Sequence, residues 1–179
     1  MTIRVAIADD QVLVRTGFRM ILEDLPDLEI VGEASDGAQA ARLAESYRPD
    51  VTLMDVRMPT MDGVEATRRI VSRDPSARVL ILTTFDLDEY AFAGLRAGAS
   101  GFLLKDVPVD ELANAIRVIA AGDAVVAPRV TRLLLDTYAH QFPGRGGTSP
   151  RATPPGLDRL TLRSENQFSP GTDTSVPPG

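Results

Sequence analysis

The chain has 179 residues, enough for one domain of ordinary size with extra segments, and 44% of them are hydrophobic. It has no cysteine, which excludes disulfides, thiolate metal sites and thiol nucleophiles, and its single histidine, His140, argues against Ser/His/Asp triads and multi-histidine sites. The net charge of −6 is uneven: residues 1–142 hold 15 Lys and Arg against 22 Asp and Glu, giving −7, the wrong sign for a nucleic-acid surface.

The N-terminus, Met1-Thr2-Ile3-Arg4, runs straight into a strand pattern with no signal-peptide core. No apolar stretch approaches the length of about 18 residues needed to cross a bilayer. A cytoplasmic protein without a membrane contact is expected.

The first strand is the apolar run Ile3-Arg4-Val5-Ala6-Ile7-Ala8, which ends in two adjacent acids, Asp9 and Asp10. Val14, Phe18, Ile21 and Leu25 then recur at helical spacing, and Pro26 stops the helix. Glu29–Ala34 reads as a second strand leading into the breaker Asp36-Gly37, and Ala40, Leu43, Ala44 and Tyr47 stripe a second helix closed by Pro49. Val51-Thr52-Leu53-Met54 is a buried-type strand ending in Asp55, followed by Val56-Arg57-Met58-Pro59. Asp62 is an N-cap for a third helix reaching about Arg73, and Asp74-Pro75 breaks it. Arg78–Thr83 is the fourth strand, Asp88–Ala97 a helix ended by Gly98, and Gly101-Phe102-Leu103-Leu104 the fifth strand. Leu112, Ile116 and Ile119 stripe a fifth helix with Gly122 as its stop.

Five strand–helix units in about 120 residues imply an α/β fold: a doubly wound, flavodoxin-like five-stranded parallel sheet in the order 2-1-3-4-5. Val130, Leu133, Leu134 and Tyr138 mark one face of a linker helix over residues 129–141, with His140 expected to be exposed on it. Seven of the 13 prolines and six of the 14 glycines fall in the last 37 residues, so residues 143–179 read as a linker or disordered tail.

In an open α/β sheet, ligands bind beyond the carboxyl ends of the strands, where strand order reverses. The polar residues fall on that rim: Asp9 and Asp10 after strand 1, Asp55 ending strand 3, Thr83 ending strand 4, Lys105 after strand 5. Each alone has an ordinary explanation; Asp10, for instance, could cap the helix near Val12. Four strands each delivering such a residue to one rim is a different matter. Three close carboxylates repel unless a cation lies among them, and a hard cation such as Mg2+ suits an all-oxygen set. A carboxylate can attack phosphorus to give an aspartyl-phosphate, with Lys105 and the Thr83 hydroxyl as partners for phosphoryl oxygens.

These residues carry a family resemblance. Asp9-Asp10, Met54-Asp55-Val56-Arg57-Met58-Pro59 with Asp62-Gly63, Leu82-Thr83 and Gly98–Lys105 together resemble a bacterial response-regulator receiver domain over residues 3–121. Thr83-Thr84-Phe85-Asp86, Leu104-Lys105-Asp106 and Ala127-Pro128 are similar to its NarL/FixJ, or LuxR-type, branch. The resemblance implies that Asp55 accepts a phosphoryl group from a sensor histidine kinase, with Mg2+ held by Asp9, Asp10, Asp55 and the Arg57 backbone carbonyl. It implies phosphoryl contacts from Thr83 and Lys105, and an aromatic switch at Phe102, a position that ordinary strand packing also explains. The chain would be a phosphoacceptor switch and not an enzyme, with at most weak self-phosphorylation from small donors and self-dephosphorylation. A population shift would alter self-association through the face formed by the 88–97 helix, the fifth strand and the fifth helix, with a homodimer on phosphorylation.

The expected organisation is a receiver at 1–122, a linker helix at 123–142, and at 143–179 a flexible linker with the opening of a LuxR-type helix-turn-helix domain. Leu157–Arg163 resembles that opening, but Ser164–Gly171 has no helical stripe, and no recognition helix is expected from these eight residues. Truncation, a frame shift and a vector-derived tail all remain open, and DNA binding is expected only where an intact C-terminal domain is present. Transcription control in the intact form and a stand-alone receiver acting through protein contacts are therefore both carried forward. Haloacid-dehalogenase-like phosphatases fit poorly, since they place the nucleophile on the first strand with a second Asp two residues on, where Arg57 stands here. No Ser/Thr-rich phosphate loop for FMN follows strand 1, and no Gly-x-x-x-x-Gly-Lys loop exists.

Overall fold

Runs rich in β-branched and aliphatic residues fold as strands, and the strands covered on both faces are apolar nearly throughout. In the computed structural model, which describes residues 1–84, 93–126, 131, 132, 135, 136 and 139, they form β1 (Ile3–Ala8), β2 (Leu28–Ala34), β3 (Val51–Asp55), β4 (Val79–Thr83) and β5 (Gly101–Leu104). All pair in parallel in the expected order β2-β1-β3-β4-β5. A two-residue strand absent from the sequence reading, β6 (Val125–Val126), adds to the β5 edge. Val31 is the extra residue of a bulge between β1 and β2, where Val5 faces Ile30 and Ala6 faces Gly32.

The helices are α1 (Val12–Glu23), α2 (Gly37–Tyr47), α3 (Gly63–Arg73) and α4 (Val109–Ala120). Asp36 and Asp62 cap α2 and α3, their side chains accepting from the Gln39 and Glu65 N–H groups at 2.8 Å each. Such caps contribute about 1 kcal/mol apiece. Gly122, at φ +103°, closes α4 by donating to the Ile119 carbonyl, in a conformation that costs a side chain. Of the helix expected at 88–97, residues 93–96 are described and helical; the rest lies outside the described residues. Positions 131, 132, 135, 136 and 139 are helical, while Val130, Leu133, Leu134, Tyr138 and His140 lie outside the described residues. The chain divides into units Met1–Gln141 and Phe142–Gly179, the second wholly outside the described residues. Among the described residues no helix is long and apolar enough to cross a membrane.

Two apolar clusters sandwich the sheet. One joins Met54, Ile81 and Phe102 to Val64, Ala66 and Ile70 of α3; the other joins Val5, Leu53 and Leu80 to Leu22 of α1 and Leu112, Ile116 and Ile119 of α4. The α1 stripe differs from the expected one: Leu22 is fully buried while Ile21 is 38% exposed. A period of 3.6 allows either i+3 or i+4 after Phe18, and both positions are apolar, so packing makes the choice. Tyr47, expected on the α2 stripe, is exposed as the last residue of the helix.

Candidate acid cluster at the strand ends

β1 and β3 are neighbours, with Ala8 opposite Met54, so the residues after them emerge side by side. Asp9, Asp10 and Asp55 each place a carboxylate oxygen within 4.8 Å of the others. Asp9 and Asp55 are buried and Asp10 is exposed, which leaves one open side. Asp10 does not cap α1: the N-cap is Gln11 without a side-chain bond, and it is Asp9 Oδ1 that accepts from the Gln11 N–H, at 2.9 Å.

Lys105 enters from β5. Its backbone N–H donates to the Thr83 carbonyl at 2.8 Å, which ties the ends of β4 and β5 together. Its Nζ donates to Asp9 Oδ2 at 2.6 Å and stands 3.1 Å from Asp55 Oδ1. Burial, then the charge of Asp9, raise the Asp55 pKa above its ordinary value; Lys105 opposes this without reversing it. Burial works to lower the Lys105 pKa, but the hydrogen bond to Asp9 and the charges of Asp55 and Asp9 outweigh it and the pKa is raised. One ammonium thus answers two of the three carboxylates directly, at Asp9 and Asp55.

Thr83 is buried at the end of β4, beside Leu104 in register. Arg57 is exposed on the turn after β3, following Val56, whose carbonyl accepts from the Gly63 N–H at 2.8 Å. Phe102 is not on the rim: it is fully buried in β5, opposite Ile81. A cavity of about 190 Å³ opens beside Lys105, lined also by Thr84, Leu104 and Asp106.

Two supports escaped the sequence reading. A Cβ at Gly63 would stand 1.9 Å from the Asp55 carbonyl oxygen, so glycine alone lets α3 start against the end of β3. The glycine after a capping Asp was the available signal. Arg15 Nη1 donates to the Asp9 carbonyl at 2.6 Å. A bond to a backbone acceptor leaves no mark on the partner's identity, so spacing alone does not disclose it.

A larger cavity of about 400 Å³ lies at the opposite rim, between α2 and α3, with Arg48, Arg69 and Arg73 in its lining. Both helices end there, and cations beside helix C-termini answer the partial negative charge of free carbonyls. Among the described residues, the acid cluster is where three carboxylates converge.

The profile of the response regulator receiver domain family matches residues 5–117. The chain belongs to the response-regulator receiver family. This receiver is 52% identical over 123 residues to the uncharacterized transcriptional regulatory protein YxjL of Bacillus subtilis (strain 168), covering 69% of this chain and 56% of that protein. It is 43% identical over 136 residues to the transcriptional regulatory protein DegU of Brevibacillus brevis, covering 76% and 58%. The crystal structure of a LuxR-family two-component response regulator from Aurantimonas sp. SI85-9A1 superposes with a TM-score of 0.72 at 35% identity, covering 78% of this chain and 99% of that one. The receiver domain of NarL from Mycobacterium tuberculosis superposes at 0.65 with 38% identity, covering 68% and 98%. These likenesses place the receiver in the LuxR-type, NarL/FixJ branch. The chain spans less than two thirds of the length of the curated relatives it matches here.

Proposed function

We propose that this receiver is a phosphorylation switch in which Asp55 takes a phosphoryl group from a sensor histidine kinase. The observation that carries the reading is the convergence of Asp9, Asp10, Asp55 and Lys105 at the ends of β1, β3 and β5. An Asp55 carboxylate oxygen attacks phosphorus, the bond from phosphorus to the donor's imidazole nitrogen breaks, and the donor nitrogen keeps the electron pair. Hard oxygen donors with one open side fit Mg2+, held by Asp9, Asp10, Asp55 and the Arg57 carbonyl; when bound it neutralises charge between these acids and the phosphoryl oxygens. Lys105 pairs with a phosphoryl oxygen as a point charge, and the Thr83 hydroxyl donates to another.

Output follows from a change in population, with Phe102 as the aromatic switch that follows Thr83 inward and the face of the helix expected at 88–97, β5 and α4 altering self-association. The division into a receiver at 1–122, a linker helix at 123–142 and a C-terminal segment at 143–179 belongs to the same reading, as does a cytoplasmic setting beside the kinase. In a complete regulator the switch controls transcription. The alternative is a receiver that acts through protein contacts without DNA binding, and the −7 charge of residues 1–142 suits it; a gel shift of residues 1–179 with promoter DNA is expected to show no complex.

Incubation with Mg2+ and acetyl phosphate, followed by intact-mass measurement, tests the acceptor. One phosphoryl adduct is expected, and it disappears in Asp55→Ala. An adduct that survives the substitution overturns the assignment.

A further inference from the structure

Asp9 is held at every polar atom. Its N–H donates to the Ala34 carbonyl at 3.0 Å, its Oδ1 accepts from Gln11, and its Oδ2 accepts from Lys105. The fourth contact runs from Arg15 Nη1 to the Asp9 carbonyl at 2.6 Å.

Arg15 is itself braced. Its side chain is only 16% exposed, and its Nε stands 3.9 Å from Glu33 Oε1 on β2. The other Glu33 oxygen accepts from Arg19 Nη1 at 2.7 Å. A strut therefore runs from the edge strand β2, through Glu33 and Arg15, to the backbone of the first acid. The turn needs one, because the α1 N-cap, Gln11, contributes no side-chain bond. Repulsion among three carboxylates also pushes the Asp9-Asp10 turn away from Asp55.

We infer that Arg15 is a positioning residue of the acid cluster: by holding the Asp9 carbonyl against β2 it keeps the Asp9 and Asp10 carboxylates turned toward Asp55 and the divalent cation. The inference rests on the reading of the cluster as a cation and phosphoryl site. Arg15 touches neither the cation nor the phosphoryl group. Its contribution resembles that of outer groups around metal sites, whose loss costs roughly tenfold or more in affinity.

Calorimetric titration of the unphosphorylated full chain with Mg2+ reads this directly. Arg15→Ala is expected to weaken Mg2+ binding about tenfold, and Arg15→Lys, which keeps a donor for the carbonyl, to fall between it and the parent chain. Arg19→Ala removes the shorter of the two contacts to the same Glu33 without reaching Asp9, and is expected to leave Mg2+ affinity unchanged. The rate of adduct formation from acetyl phosphate should return to near the parent value at saturating Mg2+, as expected when only cation affinity is impaired.

Parent-like Mg2+ affinity in Arg15→Ala overturns the inference, as does equal weakening in Arg19→Ala, which would reduce the strut to general bracing of β2. Should circular dichroism show Arg15→Ala unfolded, Arg15→Met, which keeps the aliphatic stem and removes the donor, decides, and parent-like affinity in it also overturns the inference. If the parent chain binds no Mg2+, it is the reading of the cluster that fails.

Discussion

The two rims of the sheet treat charge in opposite ways. At the amino-terminal rim several acids have partners of their own: Asp27 takes two bonds from Arg117, Asp50 accepts from the Arg4 N–H, and Asp74 accepts from the Ser76 N–H and hydroxyl. Arg73 pairs with Glu45 there as well, with both side chains largely exposed. At the carboxyl rim three acids converge, and the two buried ones, Asp9 and Asp55, share one lysine. Pairs that need only hold a surface together stay wet and one to one. Burying unmatched like charges costs stability, and a site is the usual reason for keeping that cost.

The sharpest way to break the contrast is Lys105→Met, which removes the only ammonium among the acids. It is expected to lower stability by about 3 kcal/mol near neutral pH, measured by urea unfolding. The raised Lys105 pKa means that its contribution is fully present below the ordinary value of 10.5 and is lost as pH rises through the folded value. The parent chain should therefore keep this contribution across the neutral range. A loss below about 0.5 kcal/mol, the size of an ordinary surface change, would make the carboxyl rim no different from the other.

A smaller effect of opposite sign is expected from Asp55→Asn. Because the folded pKa of Asp55 is raised, ionising it costs stability. That cost is absent well below the ordinary value of 3.8 and grows as pH rises through the folded value. The substitution should raise the melting temperature at pH 7, by the equivalent of about 1 kcal/mol, and give little change at acid pH. A lower melting temperature at pH 7 would show that the Asp55 charge is well satisfied.

Arg73→Ala sharpens the other half of the comparison. Its pair with Glu45 is exposed on both sides, so the expected loss is under about 0.5 kcal/mol and shrinks in high salt. A loss above about 1 kcal/mol would mean that the amino-terminal rim carries more than surface pairs.

Much of this contrast was legible in the sequence, because strand ends can be located from apolar runs and because residue type reveals a carboxylate or an ammonium. Asp9, Asp10, Asp55 and Lys105 were readable as one rim from the sequence, and Asp62 caps α3 as turn chemistry predicts, while Asp36, read only as a breaker, also caps α2. What escaped has physical reasons. Leu22 against Ile21 is a choice that packing makes, and periodicity permits both. β6 is too short, at two residues, to show a period. The Arg15 bond ends on a carbonyl that every residue carries, and the closeness of Gly63 to Asp55 is a matter of backbone approach.

The central claim is that Asp55, and neither of its acidic neighbours, carries the phosphoryl group. Borohydride reduction of the acetyl-phosphate-treated chain converts an aspartyl-phosphate to homoserine, and tandem mass spectrometry of the peptides locates it. Homoserine at position 55, dependent on Mg2+, is the predicted result; homoserine at position 9 or 10 with an unmodified Asp55 would contradict the account.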